Sequence, residues 1–75
     1  MKPYKGMMFK HTRWLDPSKG YDKHVPQVCK VTRIAQGVIY YRPYYGVHAE
    51  DGSDWLGSPT YTIVDNFPSY VLEII

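Results

Sequence analysis

The stretch that decides the fold is residues 27–42, QVCKVTRIAQGVIYYR. It contains two runs rich in β-branched and aromatic residues, 27–34 and 38–42, separated by Ala35-Gln36-Gly37. Residues of these types favour strands, and glycine adopts the positive φ that a tight turn requires. Two such runs joined by a short loop that ends in glycine predict a β-hairpin.

Side chains alternate between the two faces of a strand, so this hairpin also predicts which residues point the same way. Cys29 and Val31 share one face, Lys30 takes the other, and Arg33 lies near the hairpin end. Tyr40 and Tyr41 are neighbours and must point to opposite faces. Either one of these tyrosines is exposed, or the strand is covered on both sides, as in a closed or strongly bent barrel.

Further strands are expected on both sides of the hairpin, at residues 7–12, 60–64 and 70–75. No window has the 3, 4 and 7 spacing of apolar residues that predicts a long helix. Pro43 cannot donate a ladder hydrogen bond, so regular pairing is expected to end near Arg42.

Turn-forming residues separate these strands. A turn cluster at residues 16–20 lies in a long loop that reaches Pro26, and residues 65–69 form a second turn. Residues 46–58 are expected to form a loop, with a hairpin around Asp51-Gly52 as an alternative.

The sequence therefore predicts an all-β, single-domain protein over residues 1–75. The order of its elements resembles the SH3-like barrels, which include Tudor- and KOW-type modules. That resemblance implies five strands bent into a small barrel, with a short 3₁₀ turn before the last strand. The Ala-Leu-Tyr-Asp type signature of signalling SH3 domains is missing, so binding of proline-rich peptides is not implied. The VTRI and VIYYRP segments also resemble small phage and actinobacterial proteins of unassigned role.

Length and composition limit the classes of function. A chain of 75 residues buries about 60–65% of its unfolded surface, which leaves little room for a catalytic cleft. Its one cysteine cannot form an internal disulfide, and together with the absence of a signal peptide this suggests the cytoplasm. No apolar run approaches the roughly 20 residues that cross a membrane.

Candidate catalytic and metal-binding residues do not form a motif. Cys29 lies among β-branched residues and is expected to be a small buried hydrophobe. The spacing of His11, His24 and His48 does not fit a zinc site. The acidic run at residues 50–54 lacks the calcium-loop pattern, and no glycine-rich phosphate loop is present. The sequence predicts no metal, no cofactor and no enzyme activity.

Charge is distributed unevenly along the chain. All nine Lys and Arg residues fall in the first 45 positions, whereas the last 30 carry five acids and no base. Such asymmetry favours a charged partner, nucleic acid first among them. Basic residues bind phosphates and aromatic rings stack on unpaired bases. The expected nucleic-acid-binding residues are Lys10, Lys30, Arg33, Tyr41, Arg42 and Tyr44.

The alternative is a protein-interaction module. Tryptophan and tyrosine are common anchors of protein interfaces, and here they are Trp14, Tyr45 and Trp55. The resemblance to small phage proteins extends this alternative to a phage-encoded modulator of a host protein. In either case the protein is expected to be a monomer or a weak homo-oligomer with no membrane partner.

Overall fold

The computed structural model describes residues 2–12 and 28–75. Their elements, in chain order, are β1 (Met8–His11), β2 (Val28–Ala35), β3 (Val38–Val47), β4 (Asp54–Leu56), β5 (Thr60–Ile63), the one-turn helix α1 (Phe67–Tyr70) and β6 (Val71–Ile74). The all-β prediction is confirmed for this part of the chain. The predicted turn at residues 16–20, the loop that reaches Pro26 and the candidate anchor Trp14 lie outside the described residues.

The predicted hairpin is the β2–β3 pair, and its loop is one residue shorter than expected. Ala35 pairs with Val38, so only Gln36 and Gly37 form the turn. Both have positive φ, 52° and 75°, which is the type I′ geometry that matches the twist of antiparallel strands. Glycine tolerates this conformation without cost, whereas Gln36 adopts it at some strain.

The prediction that pairing ends near Arg42 is wrong, because β3 continues through Pro43 to Val47. The Pro43 carbonyl accepts a hydrogen bond from the Gly57 N–H at 2.9 Å. The N and C=O of a strand residue point to the same side, so the Pro43 nitrogen also faces away from β2. On that side β5 pairs with residues up to Tyr41, and β4 ends with Leu56 opposite Tyr44. Proline therefore occupies a gap in the ladder where no donor is required.

The strands form one antiparallel sheet in the order β4-β3-β2-β1-β6, and β5 also pairs with β3. Five strands were expected, and the described part of the chain has six. The sixth is β4, which pairs with the extended end of β3. The β3–β4 connection is the hairpin around Asp51-Gly52 that the sequence offered as an alternative to a loop. Among the described residues no pairing of β6 with β4 or β5 closes the sheet into a barrel. The helical turn before the last strand is present, as α1 rather than as a 3₁₀ turn.

The core lies on one face of the sheet and is covered by α1. Its fully buried residues are Met7, Phe9, Cys29, Val31, Ile39, Tyr41 and Phe67. The Phe9 ring meets Phe67 edge to face at 5.1 Å and Tyr41 at 5.5 Å. Such pairs are worth about 0.5–1.5 kcal/mol beyond the area they bury. Aromatic packing thus fixes which face of β2 and β3 points inward and which is left for solvent.

Candidate nucleic-acid interface

A β-bulge in β2 decides where Arg33 points. Val31 pairs with Tyr41 and Arg33 pairs with Tyr40, so Thr32 is an extra residue between them. Without it, Arg33 would share the inward face of Val31 because side chains alternate. The extra residue turns Arg33 outward, as bulges commonly re-aim a side chain. Arg33 is exposed on the solvent face of the sheet.

Arg33 begins a row of three side chains that crosses β2, β3 and β5. Tyr40 lies opposite Arg33 on one side and opposite Tyr61 on the other. The Arg33 guanidinium carbon is 5.4 Å from the Tyr40 ring centroid, a cation–π distance. The Tyr40 and Tyr61 centroids are 6.1 Å apart with the rings tilted by 44°. Tyr61 is 71% exposed. We call these three residues the outer row.

Arg42 and Lys30 lie on the same solvent face, one step further along β3 and β2, where they pair with each other. Arg42 is held by a hydrogen bond from its Nε to the Gly57 carbonyl at 2.6 Å. The acceptor is neutral, so this bond does not offset the positive charge of Arg42. The Lys30 ammonium forms an ion pair with the Asp54 carboxylate, and both side chains are partly buried. Lys30 therefore contributes little net positive charge to this face.

Lys10 lies on β1 opposite Val28, five residues along β2 from Arg33, and is ion-paired. It lies opposite Glu73 of β6, with 3.1 Å between Nζ and Oε2. The four cations predicted to contact nucleic acid therefore differ in charge compensation: Lys10 and Lys30 are ion-paired with acids, whereas Arg33 and Arg42 have no carboxylate partner among the described contacts.

Tyr41, predicted to stack on bases, is only 2% exposed. It pairs with Val31 on the core face, and its hydroxyl and His11 Nε2 form a buried hydrogen bond of 2.9 Å. A buried ring cannot receive a base, so this prediction is wrong. Tyr40 is the neighbour of Tyr41 in β3 and points to the opposite, solvent face. It is therefore the more exposed member of the Tyr40-Tyr41 pair.

The remaining predicted aromatic residues lie at the β3–β4 hairpin. Tyr44 is partly buried opposite Leu56. Tyr45 and Trp55 are 60% and 56% exposed, and the Trp55 ring meets His48 edge to face at 5.2 Å. Trp55 lies opposite Gly46, so no cross-strand side chain covers it. Tyr45 and Trp55 are therefore exposed rings on the β3–β4 hairpin, away from the outer row.

The acidic loop that precedes β4 is ordered by its own hydrogen bonds. Asp51 Oδ1 accepts from the Ser53 backbone N–H at 2.9 Å and from the Ser53 hydroxyl at 2.6 Å. These bonds favour the charged carboxylate and lower the pKa of Asp51 below its usual value. His48 Nδ1 is 3.5 Å from the same oxygen. This geometry is that of a local turn.

Cys29 is buried as predicted, and desolvation raises the pKa of its thiol to about 12. The thiolate that would act as a nucleophile or metal ligand is therefore disfavoured at neutral pH. Within residues 2–12 and 28–75 no group of His, Cys, Asp and Glu side chains could hold a metal ion.

An open cleft of about 420 Å³ lies next to the Lys30–Asp54 ion pair. Lys5 and Gly6 line one side of it and Leu56 lines another. Lys5 is exposed, and the two charges at the ion pair neutralise each other. Among the described residues that line the cleft, Lys5 is the one cation besides the ion-paired Lys30, and they do not present the convergent polar groups typical of a cofactor site.

Sequence reasoning missed two residues of the outer row, Tyr40 and Tyr61. The alternation in Tyr40-Tyr41 indicated that one of the two is exposed but not which. Tyr61 alternates with Thr60 and Thr62 in the predicted fourth strand, so it could have been assigned to one face. Its position beside Tyr40 depends on the register between β3 and β5, which no local pattern supplies.

Comparison with protein-family models, curated proteins and solved structures finds no match to this chain. In the part of the chain that the structure describes, no helix has the length and apolar character needed to cross a membrane.

Proposed function

We propose that the protein is a non-catalytic binding module that takes single-stranded nucleic acid on the solvent face of its sheet. The observation that carries this proposal is the outer row of Arg33, Tyr40 and Tyr61. It combines an exposed cation with two rings on adjacent strands. Aromatic side chains on a strand surface stack on unpaired bases, while arginine contacts the phosphates beside them.

Tyr61 is the stacking position in this proposal and Arg33 the phosphate contact. Tyr61 is the most exposed large hydrophobic side chain among those described. Arg33 lies over Tyr40, which orients the guanidinium at one end of the row. Arg42 adds a second cation one step along the strands, and its bond to Gly57 limits its movement. A duplex hides its base faces, so this surface favours unpaired strands.

The test is titration of a fluorescently labelled single-stranded oligonucleotide at several salt concentrations. Binding is expected to weaken as salt rises, because bound phosphates release counterions. Arg33→Ala is expected to reduce the log–log salt slope by about 1. Tyr61→Ala is expected to cost about 1–3 kcal/mol of binding. Lys10→Ala also removes one positive charge, but at a position outside the outer row, and serves as the matched control.

The proposal fails if the unmodified chain shows no binding at low salt. It also fails if Lys10→Ala and Arg33→Ala weaken binding equally, since that result would indicate a general charge effect rather than this surface. Circular dichroism of each variant shows whether the fold is retained.

A second candidate function is protein interaction through the β3–β4 hairpin. Trp55 and Tyr45 are more than half exposed there, and rings of this kind are frequent interface anchors. A protein partner would lose affinity with Trp55→Ala and keep it with Arg33→Ala. The nucleic-acid proposal expects the opposite pattern, so the same two variants separate the candidates.

We further propose that the fold is a variant of the SH3-like barrel and that the protein works in the reducing cytoplasm. The position of β6 beside β1 and the helical turn before it support the first point. The buried single thiol supports the second. A crystal structure in which β6 does not lie beside β1 would rule out this relationship.

A further inference from the structure

We infer that two copies of this chain pair through β5, edge to edge and about a two-fold axis. This inference does not depend on the proposed function. Strand β5 pairs with β3 on one side only, and no strand among the described residues lies on its other side. A regular strand at a sheet edge is a template for pairing with another strand.

The register with β3 shows which backbone groups of β5 are open. The Val64 N–H donates to the Gly37 carbonyl at 2.8 Å, and the register is unbroken from Val38↔Ile63 to Tyr41↔Thr60. Alternate residues of an antiparallel strand face the same neighbour. Thr62 therefore bonds to β3, whereas the N–H and C=O groups of Tyr61 and Ile63 point away from it.

A second copy of β5 satisfies these groups when it runs antiparallel and centred on Thr62. Tyr61 then lies opposite Ile63 of the second copy, and Ile63 lies opposite the second Tyr61. Each of these pairs exchanges both N–H···O bonds, as hydrogen-bonded pairs of antiparallel strands do. Because the contact is two-fold, the same edge is used on both molecules and the assembly closes at a dimer.

The side chains of β5 also favour the antiparallel register centred on Thr62. Tyr61 and Ile63 are 71% and 51% exposed on the solvent face, and aromatic residues pair favourably with β-branched ones across strands. Thr62, which is 9% exposed within its own chain, lies opposite Thr62 of the second copy at the two-fold axis.

Charge also favours a second copy as the occupant. Residues 55–64 carry no charged side chain, so no like charges meet along β5. In this register Asp65 of one copy lies near Pro59 of the other. The two Asp65 residues are therefore at opposite ends of the paired β5 strands and do not meet.

The other outermost strands, β4 and β6, are less suited to pairing. β4 has only three residues and begins with the charged Asp54. β6 contains a register shift opposite Lys10 and His11 and carries the exposed Glu73. Bulges and charges are the features by which edge strands avoid additional partners. Because β5 has neither, it is the edge on which a second copy fits.

The experiment is sedimentation of the full chain from micromolar to millimolar concentration, combined with amide hydrogen exchange measured by NMR. A monomer–dimer equilibrium is expected, and the Tyr61 and Ile63 amides should become more protected as the concentration rises. Ile63→Lys should weaken dimerisation at least tenfold, since it brings a charge to each end of the pairing. Leu72→Lys changes a similarly exposed apolar residue of β6 and should leave the dimer unchanged.

The inference is overturned if the chain remains monomeric at millimolar concentration, or if Ile63→Lys dimerises like the unmodified chain. Species larger than a dimer would also overturn it, because they require unlike edges to pair. The exchange measurement uses the unmodified chain and decides the question even if a variant does not fold.

Discussion

Lys10 and Glu73 lie directly opposite each other across β1 and β6, with Nζ 3.1 Å from Oε2. Lys30 and Asp54 form the same kind of pair between β2 and β4. In both pairs a base from the first part of the chain meets an acid from the last part. The charge asymmetry along the sequence is therefore partly cancelled in the fold, whereas Arg33 and Arg42, beside the solvent-facing tyrosines, have no carboxylate partner among the described contacts.

The Lys10–Glu73 pair should stabilise the protein only slightly. Both side chains are substantially exposed to solvent, and exposed ion pairs typically contribute about 0.2–1 kcal/mol. A double-mutant cycle with Lys10→Met and Glu73→Gln, followed by urea unfolding, should give a coupling energy in this range. The coupling should shrink as salt is added. A value that is unaffected by salt would contradict the ion-pair interpretation.

The hydroxyl of Tyr41 should matter more for stability than that of Tyr40. Tyr41 shares a buried hydrogen bond with His11, and removal of such a group typically costs about 1–3 kcal/mol. Tyr41→Phe should therefore lower the free energy of unfolding by this amount. Tyr40→Phe makes the same chemical change on the solvent face and should be nearly neutral. Equal effects of the two variants would argue against the assigned faces.

Phe67→Ala should unfold much of the population at room temperature. Phe67 is fully buried and packs against Phe9 and Tyr41. Loss of a buried phenylalanine costs about 3–5 kcal/mol, which approaches the whole stability expected of so small a domain. Leu72→Ala, at a site that is 58% exposed, is the control. Thermal unfolding followed by circular dichroism measures both.

Gln36→Asn should stabilise the β2–β3 hairpin. Gln36 has a φ of 52°, and asparagine followed by glycine is the preferred pair for a type I′ turn. A gain of up to about 1 kcal/mol is expected from such a turn substitution. Gly37→Ala should act in the opposite direction, because φ is 75° at that position. Chemical denaturation of both variants shows whether the free energy of unfolding rises or falls.

The Asp51 carboxyl should titrate below its ordinary range. Its pKa is lowered chiefly by the side-chain hydrogen bond from Ser53. A depressed folded-state pKa contributes stability that is present above the unfolded pKa and is lost as the pH falls through the folded value. NMR titration should show the Asp51 pKa rising toward normal in Ser53→Ala. No change in that variant would exclude the Ser53 hydroxyl as the cause.

Local pattern was sufficient for most strands. Residues 27–42 predicted the β2–β3 hairpin because β-branched runs and a glycine act over a few neighbouring residues. Strands β1, β5 and β6 likewise lie within the predicted segments. Pro43 misled the prediction because local chemistry does not show which side of a strand lacks a partner.

The candidate site was less predictable, because it depends on contacts between distant residues. The bulge at Thr32 that turns Arg33 outward has no marker in the sequence. The choice between Tyr40 and Tyr41 depends on Phe67, which packs on Tyr41 from a helix far along the chain. The ion pair of Lys10 with Glu73 likewise requires β6 to lie beside β1.

Because Cys29 is buried, the reactivity of its thiol can be used to measure unfolding of the protein. It is the only thiol in the sequence, and it lies in the centre of the apolar core with none of its surface accessible. An alkylating reagent can react with it only when β2 separates from its neighbours. The alkylation rate therefore counts unfolding events under native conditions, without any label having been introduced.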